Sequence, residues 1–414
     1  MGQQTVRYRY RVYPTMEQER LLNRLFGCCR VVWNDTITLF RTLLDGEQKM
    51  PPSTAIQKTV LADAKKTPER AFLTEVSNVA LLQAHRDALQ ACWNGVRKDR
   101  HQRFVRYRSL KHNPINSARF TRNGFTVKPH GVFVAKIGIL KTKWSRQLPS
   151  APSSCTVIHE PNGRWYVSFV VTRETTPLPR NGVNCAIDLG FTTLGSYVDT
   201  DGNRRPIENP RNYTHMERRL TKAQRKLARQ KKGSNRYDKQ KLRIAKLHAK
   251  AHDRLADYQN KQALQIVRDT QAVALETLNV HGMAKRHGKS VLNAAPSAFA
   301  TKIEQKAEQY ERAVIHIGRF QPSTRLCSIC KHYVEGGIPE EIRTWQCKEC
   351  RTILDRDYNA AVNILDAAGL AESLNAHGDS TRLRLVTAKH SSSQGNANPT
   401  GGNHKVSALG TPVL

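Results

Sequence analysis

Acidic residues are scarce in this chain of 414 residues: 34 Asp and Glu stand against 67 Lys and Arg, for a net charge of +33. Self-repulsion of that size is costly unless a polyanion offsets it, and nucleic acid is the natural polyanion. Long apolar runs are missing too. No segment reaches the roughly 18 apolar residues of a membrane-spanning helix, which leaves a membrane surface well behind nucleic acid as the partner of the charge. The opening stretch "MGQQTVRYRYRVYP" has no apolar signal core, so a secreted protein is not expected. In the reducing cytoplasm that remains, disulfides are rare, and metal binding is the better use for any of the nine cysteines that cluster. The chain has no internal repeat. Its length allows two or three domains with real cores.

What is present changes character along the chain. Residues 5–13, "TVRYRYRVY", alternate apolar and basic, as a strand with one wet, positive face would. Pro14 ends that strand, and Thr15 with Gln18 predicts a capping box. Helical spacing then continues, with a Pro-Pro break at Pro51, to about Lys98. The segment from Arg97 to His112 interleaves basic and aromatic residues, which suits phosphate contact by Arg103, Arg106 and Arg108, although a solvated face is the plain alternative. Over residues 118–174, "RFTRNGFTV" and "IHEPNGRWYVSFVV" each set Asn-Gly between strand-like runs and predict hairpins of a small barrel. Residues 5–13 would complete that barrel, with the helical block inserted into it.

Residues 183–200 read as a buried strand, a tight turn and a second strand, with "DTDGN" as a further hairpin signal. From Met216 to Arg254 the chain carries fifteen Lys and Arg against three acids, and "KKGSN" divides the stretch into two helices. This predicts a helical hairpin with a narrow apolar seam and a broad cationic face. Arg218, Arg219, Lys222, Arg225, Lys226, Arg229, Lys231, Lys232 and Arg236 are its candidate phosphate ligands. "QAVALETLNV" reads as a buried strand ending in an acid, residues 297–311 as a helix and 313–318 as a strand. After Ala376 the composition turns to Ser, Asn, Gly, His and Thr, and a disordered tail is expected.

Cys327, Cys330, Cys347 and Cys350 form C-x2-C-x16-C-x2-C. Two such pairs complete a tetrahedral thiolate site, for which zinc is the expected ion, and four protein ligands leave no open position for catalysis. Cys28, Cys29, Cys92, Cys155 and Cys185 sit in apolar patterns and read as core. Three acids keep unusual company. Asp188 interrupts the apolar "NCAIDLG", and Glu276 ends "AVALE". Asp357 opens a helix in which Ala360, Ala361 and Ile364 follow at i+3, i+4 and i+7, on the inward face. A lone buried acid is usually structural, and Asp355 or Asp357 could simply cap the helix. Three acids on core elements would repel and resist ionisation unless divalent cations joined them. Carboxylates holding Mg²⁺ beside a positive surface is the arrangement of two-metal phosphodiester cleavage.

The combination "AIDLG … ALETLNV … CSIC … CKEC … LDRDYNAAVNIL", with "YPTMEQERLLNRLFGCCRVVWN", "KKGSNRY" and "ESLNAHGD", resembles the transposon-encoded TnpB proteins over most of residues 5–378. Two positions depart from the family pattern: its "PSS" reads "PST" at Pro322 to Thr324, and its common His before Asp-Arg-Asp is Leu354. The resemblance implies an RNA-guided DNA endonuclease of α/β class. It would have a RuvC-like nuclease domain of the RNase H fold, a β-barrel wedge domain, a helical recognition insertion and a zinc-ribbon insertion. The implied division is 1–14 and 118–180 for the barrel, 15–117 for the helical insertion, 181–322 and 352–376 for the nuclease, 323–351 for the ribbon and 377–414 for the tail. It implies catalysis by Asp188, Glu276 and Asp357 with two Mg²⁺, and one structural Zn²⁺. It implies a monomer carrying one guide RNA from the transposon right end, reading double-stranded target DNA beside a short flanking motif in a prokaryotic cytoplasm. A miniature type V CRISPR effector is the near neighbour of this reading. A guide-independent nuclease or resolvase needs less basic surface, and a non-enzymatic RNA-guided repressor would not need the acids.

Overall fold

The computed structural model describes residues 2–46, 50–96, 105–109, 116–318, 321–339 and 341–371. The tail expected from residue 377 onward lies outside these. The chain begins in strand β1 (Gln3–Tyr13), whose even-numbered residues turn inward and whose Arg7, Arg9 and Tyr13 stay outside. This is the period-2 pattern of its sequence. Helix α1 (Met16–Asp45) follows at once, and Thr15 and Gln18 make both bonds of the capping box. Short helix α2 (Ser53–Gln57) passes into irregular π and 3₁₀ turns up to Glu75, where the sequence suggested continuous helix. Helix α3 (Asn78–Val96) then packs back on α1.

These helices lie between β1 and the rest of a seven-stranded sheet: β2 (Asn116–Thr121), β3 (Phe125–Lys128), β4 (Gly131–Val134), β5 (Gly138–Lys143), β6 (Ser154–His159) and β7 (Trp165–Glu174). The order β2-β6-β7-β1-β5-β4-β3 curls into a nearly closed barrel with β1 at its centre. Every pair is antiparallel. Inward residues of the barrel and the buried faces of α1 and α3 form one core, in which Phe26 of α1 stacks on Trp165 of β7. Asn162-Gly163 makes the expected hairpin between β6 and β7, with Gly163 at φ +77°. Asn123-Gly124 does not. It lies in a 3₁₀ turn that carries the chain from β2, at one edge of the sheet, to β3 at the other.

A second sheet combines β8 (Asn184–Leu189), β9 (Gly195–Asp199), β10 (Arg204–Ile207), β11 (Ala272–Glu276) and β12 (Ala313–Ile317) in the order β10-β9-β8-β11-β12. The first three strands form an antiparallel meander, and β11 and β12 join parallel to β8. This is the RNase H arrangement of a RuvC-like domain. Between β10 and β11 stand α4 (Asn212–Ala228) and α5 (Asn235–Asp269), the cationic hairpin. Met216, Leu220 and Ala251 form its narrow seam, with Tyr213, Ile244 and Leu247 packed around them. Helix α5 runs past the expected boundary at Arg254 because Leu255, Ala263, Ile266 and Val267 continue as a buried stripe, the last three of them against the sheet. Helices α6 (Val280–Ala294) and α7 (Pro296–Tyr310) cover the same face. After β12, a ribbon carries β13 (Thr344–Gln346) and β14 (Ile353–Asp355), and α8 (Arg356–Ala367) covers the opposite face of the sheet.

Candidate active site and metal centre

Strand alternation decides which side chains meet α8. Cys185, Ile187, Val273 and Leu275 pack with α5 and α7, whereas Ala186, Ala272 and Ala274 pack with Ile364 and Leu365 of α8. Alanines on that face let the helix sit close to the sheet. Asp188 and Glu276 continue this alanine face, each near the C-terminal end of its strand. The parallel register sets Ile187 opposite Leu275, so the next residues along, Asp188 and Glu276, are neighbours. Gly195 lets β9 approach here, since a Cβ on it would lie 2.7 Å from Ile187 Cγ2 and 2.9 Å from the Asp188 carbonyl oxygen.

Helix α8 brings the third acid. Asp355 is its N-cap, and its Oδ1 accepts from the N–H groups of Asp357 and Tyr358 at 3.0 and 2.9 Å. Asp357 sits in the first turn, with Ala360, Ala361 and Ile364 buried beneath the same face. The capping role belongs to Asp355, which leaves the Asp357 carboxylate to face the strand ends. Burial, then the nearby Glu276 and Asp357, push the Asp188 carboxyl well above its ordinary range, and Arg356 and Arg343 pull it back in part. Burial also raises Glu276. Asp188 thus stands between two other acids that disfavour its charge, a conflict that a divalent cation would relieve.

The ribbon holds the other centre. The four sulfurs lie within 4.8 Å of one another. Cys327 to Cys350 and Cys330 to Cys347 are 3.7 and 3.6 Å apart. A tetrahedron with metal–sulfur bonds of about 2.3 Å has edges of roughly 3.8 Å. The two knuckles repeat one backbone pattern. Cys327 N–H donates to His332 and Cys347 N–H to Thr352, while Lys331 and Arg351 donate back to the carbonyls of those cysteines. Lys331 and Arg351 both take the left-handed conformation, at φ 59° and 55°. Within the cluster the Cys350 thiol, beside the Thr352 hydroxyl, is lowered to about 6, while Cys330, beside the other three sulfurs, is raised to about 12, so the four sulfurs titrate as one set. Cys28, Cys29, Cys92, Cys155 and Cys185 are buried core residues.

Three residues here escaped sequence reasoning. Arg343, just before β13, donates from Nη1 to Asp357 Oδ2 at 2.6 Å. Asn359 and Asn363, buried at 2% and 4% exposure, bind the ribbon backbone. Their i, i+4 spacing in "NAAVN" was the available signal: it makes a polar stripe on the flank of α8 away from the alanine face.

All nine candidate cations of the hairpin, from Arg218 to Arg236, are exposed. In the 97–112 segment, Arg103 lies outside the described residues and Arg106 is exposed. Arg108 is engaged within the chain, where its guanidinium lies 3.4 Å from the Trp33 ring centroid and burial lowers its pKa. No helix among the described residues is long and apolar enough to cross a membrane.

Three family models match the chain. Residues 168–287 match the OrfB family of IS605-type elements, "Probable transposase". Residues 297–364 match the Cas12f1-like TNB domain. Residues 1–42 match an OrfB-type helix-turn-helix domain and are here strand β1 and most of α1. A Streptomyces pristinaespiralis protein, provisionally named an RNA-guided DNA endonuclease, is 37% identical, covering 94% of this chain and 95% of its own. InsQ of Escherichia coli K12, with the same provisional name, is 24% identical over 88% and 92%. The structure of a Cas12f1 complex with guide RNA and target DNA superposes with a TM-score of 0.50, at 13% identity, covering 88% of this chain and 98% of that one.

Proposed function

Since the chain belongs to the OrfB family of IS605-type elements, the family of the TnpB proteins, we propose that it is an RNA-guided DNA endonuclease that hydrolyses phosphodiester bonds in its target. What supports the proposal most is the placement of Asp188 and Glu276 at the ends of paired parallel strands of a RuvC-like sheet, with Asp357 on the first turn of α8, the helix that covers that face, near enough to raise Asp188. These donors fit hard divalent cations, which accept carboxylate oxygen and relieve the crowding. Asp188 would serve two Mg²⁺, Glu276 one of them and Asp357 the other. When bound, the ions supply an activated water and offset charge on the leaving oxygen. The chain's own residues do the rest. Asp188 and Glu276 must shed the protons that burial favours. Arg343 holds the Asp357 carboxylate in place. The exposed cations of α4 and α5 grip the sugar-phosphate backbone without reading sequence, which guide pairing would do.

The four-cysteine centre suits Zn²⁺ in a structural role, because its four sulfurs fill the coordination sphere. The guide is expected to come from the transposon right end, bound by a single copy of the chain that reads a short motif beside the target. The match to a Cas12f1-like domain keeps a miniature CRISPR effector as the second reading. Sequencing the RNA that co-purifies with the protein separates them: a transposon-end transcript supports the first, a CRISPR repeat the second. Cleavage is tested on plasmid beside gel-shift binding. Asp188→Ala, Glu276→Ala and Asp357→Ala should each abolish cutting with guide and target binding nearly intact. Cutting that survives Asp188→Ala, or that persists in EDTA, ends the metal-dependent reading.

A further inference from the structure

Helix α8 is held on two sides. One side packs on the alanine face of the sheet and presents Asp357. The other is gripped by the ribbon, through contacts that centre on a cysteine of the metal centre. Asn359, two residues past Asp357, binds both peptide groups that flank Cys327. Its Oδ1 accepts from Ser328 N–H at 2.8 Å, and its Nδ2 donates to the Leu326 carbonyl at 2.8 Å. Asn363, one turn on, donates to the carbonyls of Ser323 and Leu326 at 2.8 and 2.6 Å. At the start of the helix, the Arg343 carbonyl accepts from Arg356 N–H at 2.7 Å, and β13 sets Thr344 opposite the N-cap Asp355.

Only a carboxamide meets the demand at position 359, which needs one donor and one acceptor at a fixed separation. Asn359 is 2% exposed, so water cannot replace a lost partner, and a buried group left unpaired is destabilising. Cys327 is fully buried, and its backbone has little freedom once its sulfur is fixed in a tetrahedron. The chain of contacts is then short: Cys327 sulfur, the two peptides beside it, Asn359, the first turn of α8, Asp357.

We propose that Asn359 is a positioning residue that couples the four-cysteine metal centre to divalent-cation binding at Asp188, Glu276 and Asp357. Filling the cysteine site orders the ribbon peptides, which fix the first turn of α8 and with it the Asp357 carboxylate. Divalent affinity at the acids rises as a result. Linkage is reciprocal, so cations at the acids tighten the cysteine site by the same factor. The proposal rests on the reading of the three acids as a cation centre.

The test uses the full chain and Mn²⁺ as a paramagnetic probe, titrated by electron paramagnetic resonance, with zinc content measured by mass spectrometry. Four states are compared: wild type and Asn359→Leu, each zinc-loaded and zinc-stripped by dialysis with the chelator then removed. Stripping zinc should weaken Mn²⁺ binding to the wild type about 5-fold or more, the usual lower bound of coupling between linked sites. In Asn359→Leu, zinc should make little difference to Mn²⁺ affinity. Equal Mn²⁺ affinity in loaded and stripped wild type overturns the proposal, and this arm holds even if the variant fails to load zinc. An undiminished zinc effect in Asn359→Leu also overturns it. If Asp188→Ala removes no Mn²⁺ site from the wild type, the reading of the acids fails first, and the coupling falls with it.

Discussion

Replacing Arg225, Lys226 and Arg229 with Gln asks whether the α4–α5 hairpin holds a nucleic-acid backbone. All three are exposed, and none has an ion-pair partner among the described residues. Arg, Lys and Gln have nearly the same helix propensity. Arg225 and Lys226 stand in the last turn of α4, so their loss forfeits a favourable dipole interaction of about 0.3–1 kcal/mol each. The fold should tolerate that. Binding should not. Each phosphate contact contributes about 0.7 units (single strand) to 0.9 units (duplex) to the slope of log affinity against log salt. Three lost contacts reduce the slope by roughly 2.1 to 2.7 units. Between 50 and 200 mM salt, wild-type affinity should therefore fall about 20- to 40-fold further than that of the variant. The assay is filter binding of the co-purified RNA at four or more salt concentrations. Parallel lines for the two proteins would return this surface to a solvated face with no phosphate contacts.

Asp355→Ala should cost about 0.5–2 kcal/mol of stability by removing the N-cap, yet leave cleavage measurable. A variant that melts like the wild type but cannot cut would instead put Asp355 among the cation ligands. Cys347→Ser should lose the ribbon metal and the local fold with it, because binding and folding are linked in such sites. Full metal occupancy by elemental analysis would contradict this. Asp188→Asn should stabilise the protein in EDTA, and more so as pH rises. The raised carboxyl holds its proton more tightly in the folded chain than in the unfolded one. The stability this gives is present at acid pH and lost as pH climbs through the folded pKa. Asn cannot ionise, so its melting-temperature advantage over wild type should be larger at pH 8 than at pH 5. Equal advantages would mean that Asp188 is not perturbed.

Some of this structure is written locally in the sequence, and some is not. The alternation of "TVRYRYRVY" predicts which residues of β1 turn inward, because strand geometry has period 2 and one side is apolar. The cysteine spacing predicts the knuckles for an equally local reason. Asn162-Gly163 and Asn123-Gly124 look alike, but only the first joins paired strands. A dipeptide favours a turn, and it does not choose the partners of the strands on either side. The place of Asp357 in the first turn of α8 follows from helical spacing, whereas Arg343 reaches it from another element at no fixed sequence distance. Composition alone marks Arg108 as a phosphate ligand, and its stacking on Trp33 depends on how an extended segment lies along α1. Charge thins at Arg254 and suggests that α5 ends there, although the apolar stripe of the helix continues to Val267.

Placing β1 at the centre of the barrel has a consequence for synthesis. This strand is made well before its main partner, because its register runs from Gln3 opposite Glu174 to Val12 opposite Trp165. At about 5–20 residues per second, it waits on the order of 10–30 seconds for β7. For that time the backbone groups on its β7 side are free, and an open strand edge is prone to aggregate. Arg7, Arg9 and Arg11 at every second position make two such nascent strands repel when they meet edge to edge. If the positive face of β1 guards the newborn chain in this way, Arg→Ser changes there should lower soluble yield on expression while leaving the melting temperature of the purified protein unchanged.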